Sequence, residues 1–466
     1  MIIRLGQKFA DIFVKYMPSA YVFALLLTII TGACAFFITA TGFMEIVAGW
    51  YGGFWSLLTF GMQIALIIVT AYSIAQSAPV EKGIDYVSKY IKTPKQVYFW
   101  VVLIGGALSL VSFGMIVVVA ILARALALHI KGVNYPFLIA CVYFSMNGWV
   151  SGASSSISLL LNTPNNFLIE EKILADVIPT ALTLGSFLNV TMITVFLLLG
   201  PFLFIVLAPK AKGKELHDLL VNKKVTEEKT VKEEANSYKL PYRALSDMLN
   251  NAAWLQMSIA IVGFVYIGYH FITRGFDLNF NIMIFIFMML GLFLHVTPLR
   301  YSISMKRASQ NISGILFQFP FYAGIMGIML STGLGELIGN KISEVATLQT
   351  FPFFAYLSGG LINFAIPSAG GEFAVIGPSV VQAVQNLALE AHISPLETTK
   401  MVARAAMSIA YGESLSNLLQ PFYLLIVFPI MGIGVKLQAR DIVGYLVIPF
   451  ILFFGIQSLL VVFVPF

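Results

Sequence analysis

The chain has 466 residues, 59% of them hydrophobic and 11% charged, with a mean hydropathy of +0.88; soluble domains carry about 25% charged residues, so a soluble enzyme or binding domain is excluded and a polytopic membrane protein is indicated. The formal net charge of +6 comes from basic residues beside apolar blocks, a pattern that orients a chain in a bilayer rather than recruiting nucleic acid. Cys34 and Cys141 both lie in apolar runs and the five histidines have no ligand spacing, so neither a disulfide framework nor a zinc site is indicated.

Eleven apolar blocks follow one another: 20–42, 54–77, 97–122, 135–164, 178–208, 252–273, 280–296, 311–332, 352–388, 403–434 and 442–465. About 20 helical residues cross a hydrocarbon core of about 30 Å, so most blocks read as single crossings. The first block follows Arg4, Lys8 and Lys15, and residues 1–18 read as an interfacial amphipathic lead-in. Thr31 to Ala35 (TGACA) has the small residues of a signal-peptidase site, but the apolar run continues past it, so retention is expected. Lys210 to Arg243 is the one long polar stretch; its mixed charge reads as a solvated linker with no chemistry of its own. The expected division is therefore an N-terminal membrane half, 1–209, a charged cytoplasmic linker, 210–250, and a C-terminal membrane half, 251–466.

Residues 351–385 fit a single crossing poorly, since one helix of that length would run about 50 Å. Pro367 and Pro378 each remove an amide donor, Gly370 and Gly371 loosen the backbone, and Asn363 and Ser368 lie in the middle. Such backbone survives at membrane depth only when buried in protein or lining a cavity. A re-entrant helical hairpin with a polar tip is predicted. The first half carries a weak echo: Phe99, Leu103, Gly105 and Gly106 match Phe353, Leu357, Gly359 and Gly360 at one offset. Ile139, Ala140 and Asn147 match Ile409, Ala410 and Asn417 at another. This order points to an inverted repeat.

The predicted fold class is an all-α polytopic membrane protein with two inverted-topology halves, about nine transmembrane helices, two re-entrant hairpins (97–128 and 352–388) and broken helices. With a cytoplasmic N-terminus, 23 of the 28 Lys and Arg fall on the cytoplasmic side, which agrees with the positive-inside rule. The five outside are Lys172, Arg274, Lys341, Lys400 and Arg404. Arg124 and Lys131 return to the cytoplasm only if the preceding block turns back without crossing.

Polar groups concentrate in three apolar blocks. In Asn147 to Asn166 the candidates are Asn147, Ser154, Ser155, Ser156 and Asn162, with Ser151, Ser158 and Thr163 nearby. Serines that bond back to helix carbonyls or join helices are common, yet their density beside Gly and Pro favours an unwound segment whose hydroxyls and freed amides hold a carboxylate. At the C-terminal tip the candidates are Asn363, Ser368, Gly370 and Gly371, where a helix N-terminus would aim amides at an anion. Glu372 is open between this role and solvent exposure. In Ser408 to Phe422, a helix read as broken at Gly412 and Pro421, Glu413, Asn417 and Gln420 share one face. A carboxylate at helix centre costs about 2.5–3.5 kcal/mol on insertion scales and needs a partner or a function. Proton carrier, cation ligand and structural anchor all stay open for Glu413. Arg124 and Arg404 read either as anion-attracting charges at cavity mouths or as snorkelling interfacial residues. There is no GxSxG, HExxH or Walker A pattern, so no enzyme is expected.

These residues resemble the short-chain fatty acid transporter family, associated with acetoacetate and butyrate uptake in bacteria. The likeness runs over nearly the whole chain and is carried by residues 53–80, YPFLIAC (135–141), FQFPFYAGI (317–325), INFAIPSAGGEFAVIGP (362–378) and AYGESLSNLLQPF (410–422). It implies a secondary transporter for small monocarboxylates in the bacterial inner membrane, working by ion-coupled symport and alternating access. Carried over by position, its site elements are Asn363, Ser368, Gly370, Gly371, Glu413, Asn417 and Gln420. Two departures, Glu372-Phe373 where family members can carry His-Trp and a serine run where they carry glycines, leave substrate and coupling ion open. The expected partners are a small carboxylate and the lipid bilayer, with a homodimer as one candidate assembly and no nucleic acid. No cofactor is expected; the coupling ion is H+ or Na+. The alternative is a carrier of the same fold for dicarboxylates or other organic anions.

Overall fold

The computed structural model describes residues 15, 20–209, 214–220, 230–238, 244–310, 312–364, 366–420, 424–432 and 434–465; the lead-in apart from Lys15, linker residues 210–213, 221–229 and 239–243, and the predicted break at Pro421 lie outside them. Among the described residues the chain is helical and carries only an isolated bridge between Leu220 and Val435.

The N-terminal half comprises α1 (Ala20–Ile38), α2 (Phe43–Ser56), α3 (Leu58–Ala75), α4 (Ala78–Ser88), α5 (Pro94–Val111), α6 (Ile116–His129), α7 (Tyr135–Ser145), α8 (Ser156–Asn162) and α9 (Phe187–Leu207). The C-terminal half has α10 (Ala253–Arg274), α11 (Phe280–His295), α12 (Pro298–Ser309), α13 (Ser313–Ser331) and α14 (Leu334–Val345). It continues with α15 (Phe351–Ile362), α16 (Ala369–Glu390), α17 (Pro395–Ser416), α18 (Leu424–Met431) and α19 (Val447–Phe463). Segments 43–75, 94–111, 187–207 and 245–274 are long and apolar enough to cross a membrane, and six shorter apolar helices accompany them. Ile272, on α10, is 86% exposed and its neighbours Tyr269 and Val265 are exposed too; a continuous apolar face of this kind belongs against lipid. The molecule is a multi-pass membrane protein.

The first turn of a helix leaves backbone amides without intrahelical partners, and side-chain caps satisfy them. Thr93 accepts from the Gln96 amide, with Pro94 at the first helical position of α5, and Asn134 does the same for Phe137 at the start of α7. Ser186, Asn279 and Ser394 cap α9, α11 and α17. The two matching regions fold alike: α5 and α15 each end in a break, α6 and α16 follow it, and α7 and α17 run into short 3-10 turns at Met146–Ser151 and Asn417–Leu419. In both halves the first arm packs on the broken helix: a Cβ at Gly105 would sit 2.6 Å from Ser145 Cβ, and one at Gly359 would sit 2.4 Å from the Ile409 carbonyl.

Several boundaries differ from the sequence reading. The block taken as 54–77 begins at Phe43, because Gly49 and Gly53 let α2 lie directly on Ala323 and Gly327 of α13, a small-residue seam typical of membrane helices. Pro378 does not break its segment; α16 runs through it. Gly412 does not break α17 either. It permits contact: a Cβ there would lie 1.9 Å from the Tyr356 carbonyl of α15. Part of the linker is not a featureless solvated chain, for Val231 and Ala235 pack on Ile303 of α12 and Glu234 pairs with Arg307.

Candidate functional site

The C-terminal break is assembled from α15, α16 and α17. Asn363 follows the last turn of α15 and is fully buried. Its Nδ2 donates to the Glu413 carbonyl at 3.0 Å and to Ser416 Oγ at 2.7 Å, and its own carbonyl accepts from Gln420 Nε2 at 2.9 Å. Side chain and backbone carbonyl of one residue thus tie the hairpin tip to the two sides of the break in the next helix. Ser368 caps α16 by accepting from the Gly371 amide at 3.4 Å. Gly370 and Gly371 lie in the first turn of α16, not in an open loop. Cβ atoms there would sit 3.1 Å from the Phe60 ring and 2.6 Å from the Tyr322 ring, so the glycines let the tip press on an aromatic wall.

Glu372, also in that first turn, is 0% exposed, which removes the solvent-facing option. Glu413 is buried in α17; its Oε1 accepts from Asn417 Nδ2 at 2.9 Å, as the spacing of four predicts. Gln420 lies past the 3-10 turn in extended backbone, so it meets this cluster through the break rather than along one helical face. The two carboxylates are close enough to act on each other electrostatically.

The halves are stitched across the site. The Tyr143 hydroxyl donates to the carbonyls of Asn417, at 3.0 Å, and Gln420, which flank the break. Ser414 Oγ donates to the Asn147 carbonyl at 2.8 Å and lies 3.2 Å from its Oδ1. The Tyr411 hydroxyl donates to Asn189 Oδ1 at 3.0 Å, and Asn189 Nδ2 donates to the Ser151 carbonyl at 3.0 Å.

At the N-terminal tip, the Phe113 amide donates to Ser154 Oγ at 3.0 Å and the Ala153 amide to the Leu110 carbonyl at 2.7 Å. Ser155 caps α8 through the Ser158 amide, and Ser156 is buried in its first turn. Asn162 is directed elsewhere: its Nδ2 donates to the Leu278 carbonyl and its Oδ1 accepts from Thr183. The predicted set therefore splits. Asn363, Ser368, Gly370, Gly371, Glu413, Asn417 and Gln420 share the C-terminal break, with Asn147 joined to it through Ser414. Ser154, Ser155 and Ser156 lie past the 3-10 turn that follows α7, where Ser154 bonds to the N-terminal tip at Phe113, and Asn162 belongs to neither break.

Tyr143, Tyr411, Ser414, Ser416 and Asn189 were not singled out from the sequence. One signal was available, since the offset pairing Asn147 with Asn417 sets Tyr143 opposite Glu413. The two arginines do not face the tips. Arg124 donates to the carbonyls of Ile430 and Met431 at the end of α18, and Arg404 to those of Val461, Val462 and Val464 at the end of α19. Each guanidinium satisfies a helix C-terminus and its dipole. Among the described residues no group of three His, Cys, Asp or Glu is arranged to hold a metal ion. A groove of about 560 Å³ lined by Gln63, Asn281 and Met288 lies apart from both breaks.

The short chain fatty acid transporter family profile matches residues 1–464. A protein of Escherichia coli (strain K12), provisionally named a short-chain fatty acid transporter, is 36% identical over 448 residues, 96% of each chain. A Haemophilus influenzae protein with the same provisional name is 34% identical over 451 residues, again 96% of each. In fold, the chain is similar to the crystal structure of the Alcanivorax borkumensis YdaH transporter, with a TM-score of 0.54, 14% identity, and 95% of this chain and 97% of that one covered. A buried polar core made by hairpin tips and broken helices, on a chain without enzyme motifs, accords with these likenesses: the protein belongs to the short-chain fatty acid transporter family, whose members are transporters and not enzymes.

Proposed function

We propose that the chain is an ion-coupled symporter for short-chain monocarboxylates of the butyrate and acetoacetate type, in the bacterial inner membrane. The observation that carries this reading is the convergence of Asn363, Glu413, Asn417 and Gln420 at one break, with two buried carboxylates beside it. Opposite-facing halves, 1–209 and 251–466, joined by a cytoplasmic linker, 210–250, give alternating access a structural basis: each hairpin enters from its own side and seals one entry. Substrate carboxylate is held by hydroxyls and amides at Ser154–Ser156 and Ser368–Gly371 with Asn147 and Asn417, while the short tail rests on apolar neighbours. A driving ion acts at Glu413.

Purified protein in proteoliposomes, with sodium and proton gradients imposed separately, tests the proposal. Labelled butyrate should accumulate against its gradient under one of them. Flux that only equilibrates under both would mean a facilitator and would overturn the symport reading.

A further inference from the structure

We propose that Glu372, Glu413 and Asn363 form a binding site for a small monovalent cation, and that it lies at the C-terminal break alone. The proposal rests on the transport reading for its role, but the site itself is argued from unpartnered atoms. Both carboxylate oxygens of Glu372, Oε2 of Glu413 and Oδ1 of Asn363 are buried with no hydrogen-bond partner among the described residues. With the carboxylates ionised, all of them are acceptors. Native proteins rarely leave one such atom orphaned, and an acceptor-only group of four needs a positive species to satisfy it.

Protonation would need two protons, one on each carboxyl, to satisfy these four atoms, whereas one hard cation takes several oxygens at once. A divalent ion fits less well. Ca²⁺ asks for six to eight oxygens and Mg²⁺ retains several waters, while Glu372 and Asn363 are both 0% exposed and no third acidic or imidazole ligand joins them among the described residues. Two carboxylates around one monovalent cation leave a net negative charge, and Glu372 lies in the first turn of the 22-residue α16, where the helix dipole offsets part of it. Among the described residues no ion pair involves either carboxylate, and Arg404 is committed to carbonyls of α19.

The N-terminal half lacks the counterpart. The sequences of α5, α6, α7 and α8 and of the turn at 146–151 contain no Asp or Glu. At the offsets of the internal match, Val118 corresponds to Glu372, Tyr143 to Glu413 and Ser109 to Asn363. A duplicated framework therefore carries one charged ligand set.

Binding of ²²Na⁺ to the purified full-length chain, in buffer held at constant ionic strength with choline chloride, tests this without reference to transport. One saturable site per chain with a Hill coefficient near 1 is expected, with Li⁺ and K⁺ as competing probes. Glu372→Gln and Asn363→Ala should weaken Na⁺ binding at least tenfold. Glu372→Asp, which keeps the charge, should weaken it less, and Ser109→Ala should leave it within twofold. Absence of saturable Na⁺ binding by the wild-type chain overturns the proposal whatever the variants do, as does unchanged affinity in a folded Glu372→Gln protein. Two sites per chain would overturn the one-sided assignment. Proton-driven butyrate uptake by a chain that binds no Na⁺ would sink the site and leave the transporter reading standing; Na⁺ binding without uptake of any monocarboxylate would do the reverse.

Discussion

Gly412→Ala is the most direct probe of how the fold supports the site. The added methyl would sit 1.9 Å from the Tyr356 carbonyl and 2.9 Å from the Gly360 amide nitrogen, while carbon–oxygen contacts settle at about 3.3 Å or more. Both neighbours are backbone of α15, so no rotamer relieves the clash. The helices must part by about 1.4 Å to restore ordinary contact. Asn363, at the end of α15, reaches Ser416 at 2.7 Å and the Glu413 carbonyl at 3.0 Å on α17. A separation of that size takes both beyond hydrogen-bond range. Overpacking typically costs about 1–3 kcal/mol, and each lost hydrogen bond about 1 kcal/mol more, for a total of roughly 3–5 kcal/mol. At about 2 °C per kcal/mol for a large chain, the melting midpoint in detergent should fall by about 6–10 °C.

Butyrate uptake should fall more than tenfold in the same variant, because the tip and the broken helix lose their tie. Gly268→Ala is the matched control: no heavy atom lies within 4 Å of its would-be Cβ, and alanine favours a helix over glycine by about 1 kcal/mol. Equal melting midpoints and equal uptake for the two variants would show that α15 and α17 do not meet as described.

Three further outcomes are expected. Glu413→Gln, which keeps shape and removes charge, should abolish accumulation against a gradient while leaving some exchange; wild-type accumulation with unchanged ion dependence would remove Glu413 from coupling. Competition against labelled butyrate should be strongest for three- to five-carbon monocarboxylates, weaker for acetate and absent for octanoate and succinate. Each buried methylene is worth about 0.8 kcal/mol, whereas a second carboxylate would be buried unpaired. Best competition by succinate would favour the dicarboxylate alternative. Lys131→Cys should react with impermeant thiol reagents only from the cytoplasmic face, and labelling in intact cells would remove the first hairpin; Gly132 is a poorer choice because its φ of +82° resists a side chain.

Much of the fold was legible because bilayer physics leaves few options. Apolar blocks too long for one crossing, with Asn363 and Ser368 inside them, had to break, and they do. What misled was the meaning of individual breakers. Gly370, Gly371 and Gly412 read as loosened backbone, yet each lies within a helix and serves close approach, to Phe60, Tyr322 and Tyr356. Pro378 is accommodated inside α16. A glycine that opens a helix and one that admits a neighbour look identical in one dimension, because the distinction lies in a partner far away in sequence. The same holds for Asn162, which the serine run seemed to include but which bonds to Leu278 and Thr183. Tyr143 and Tyr411 were hidden differently: in an apolar block a tyrosine reads as bulk, and only an acceptor on another helix, the carbonyls of Asn417 and Gln420 for one and Asn189 Oδ1 for the other, reveals its hydroxyl as a partner.

The asymmetry between the halves bears on how coupling would arise. An anionic substrate held near Glu372 and Glu413 meets like charge; at about 7 Å and an effective dielectric of about 20, one such pair costs about 2.4 kcal/mol, close to sixtyfold in affinity. In the proposed site a cation between the carboxylates offsets one of the two such pairs for whatever binds next, and the dipole of α16 offsets part of the other. Linkage then requires that Na⁺ raise butyrate affinity by the same factor that butyrate raises Na⁺ affinity. A framework with acids in both breaks would face twice the repulsion and would need two ions for each turn. Confining the acids to α16 and α17, with Val118 and Tyr143 at the matching positions, leaves the N-terminal break without a carboxylate, so the charge that a bound cation must offset lies at one break.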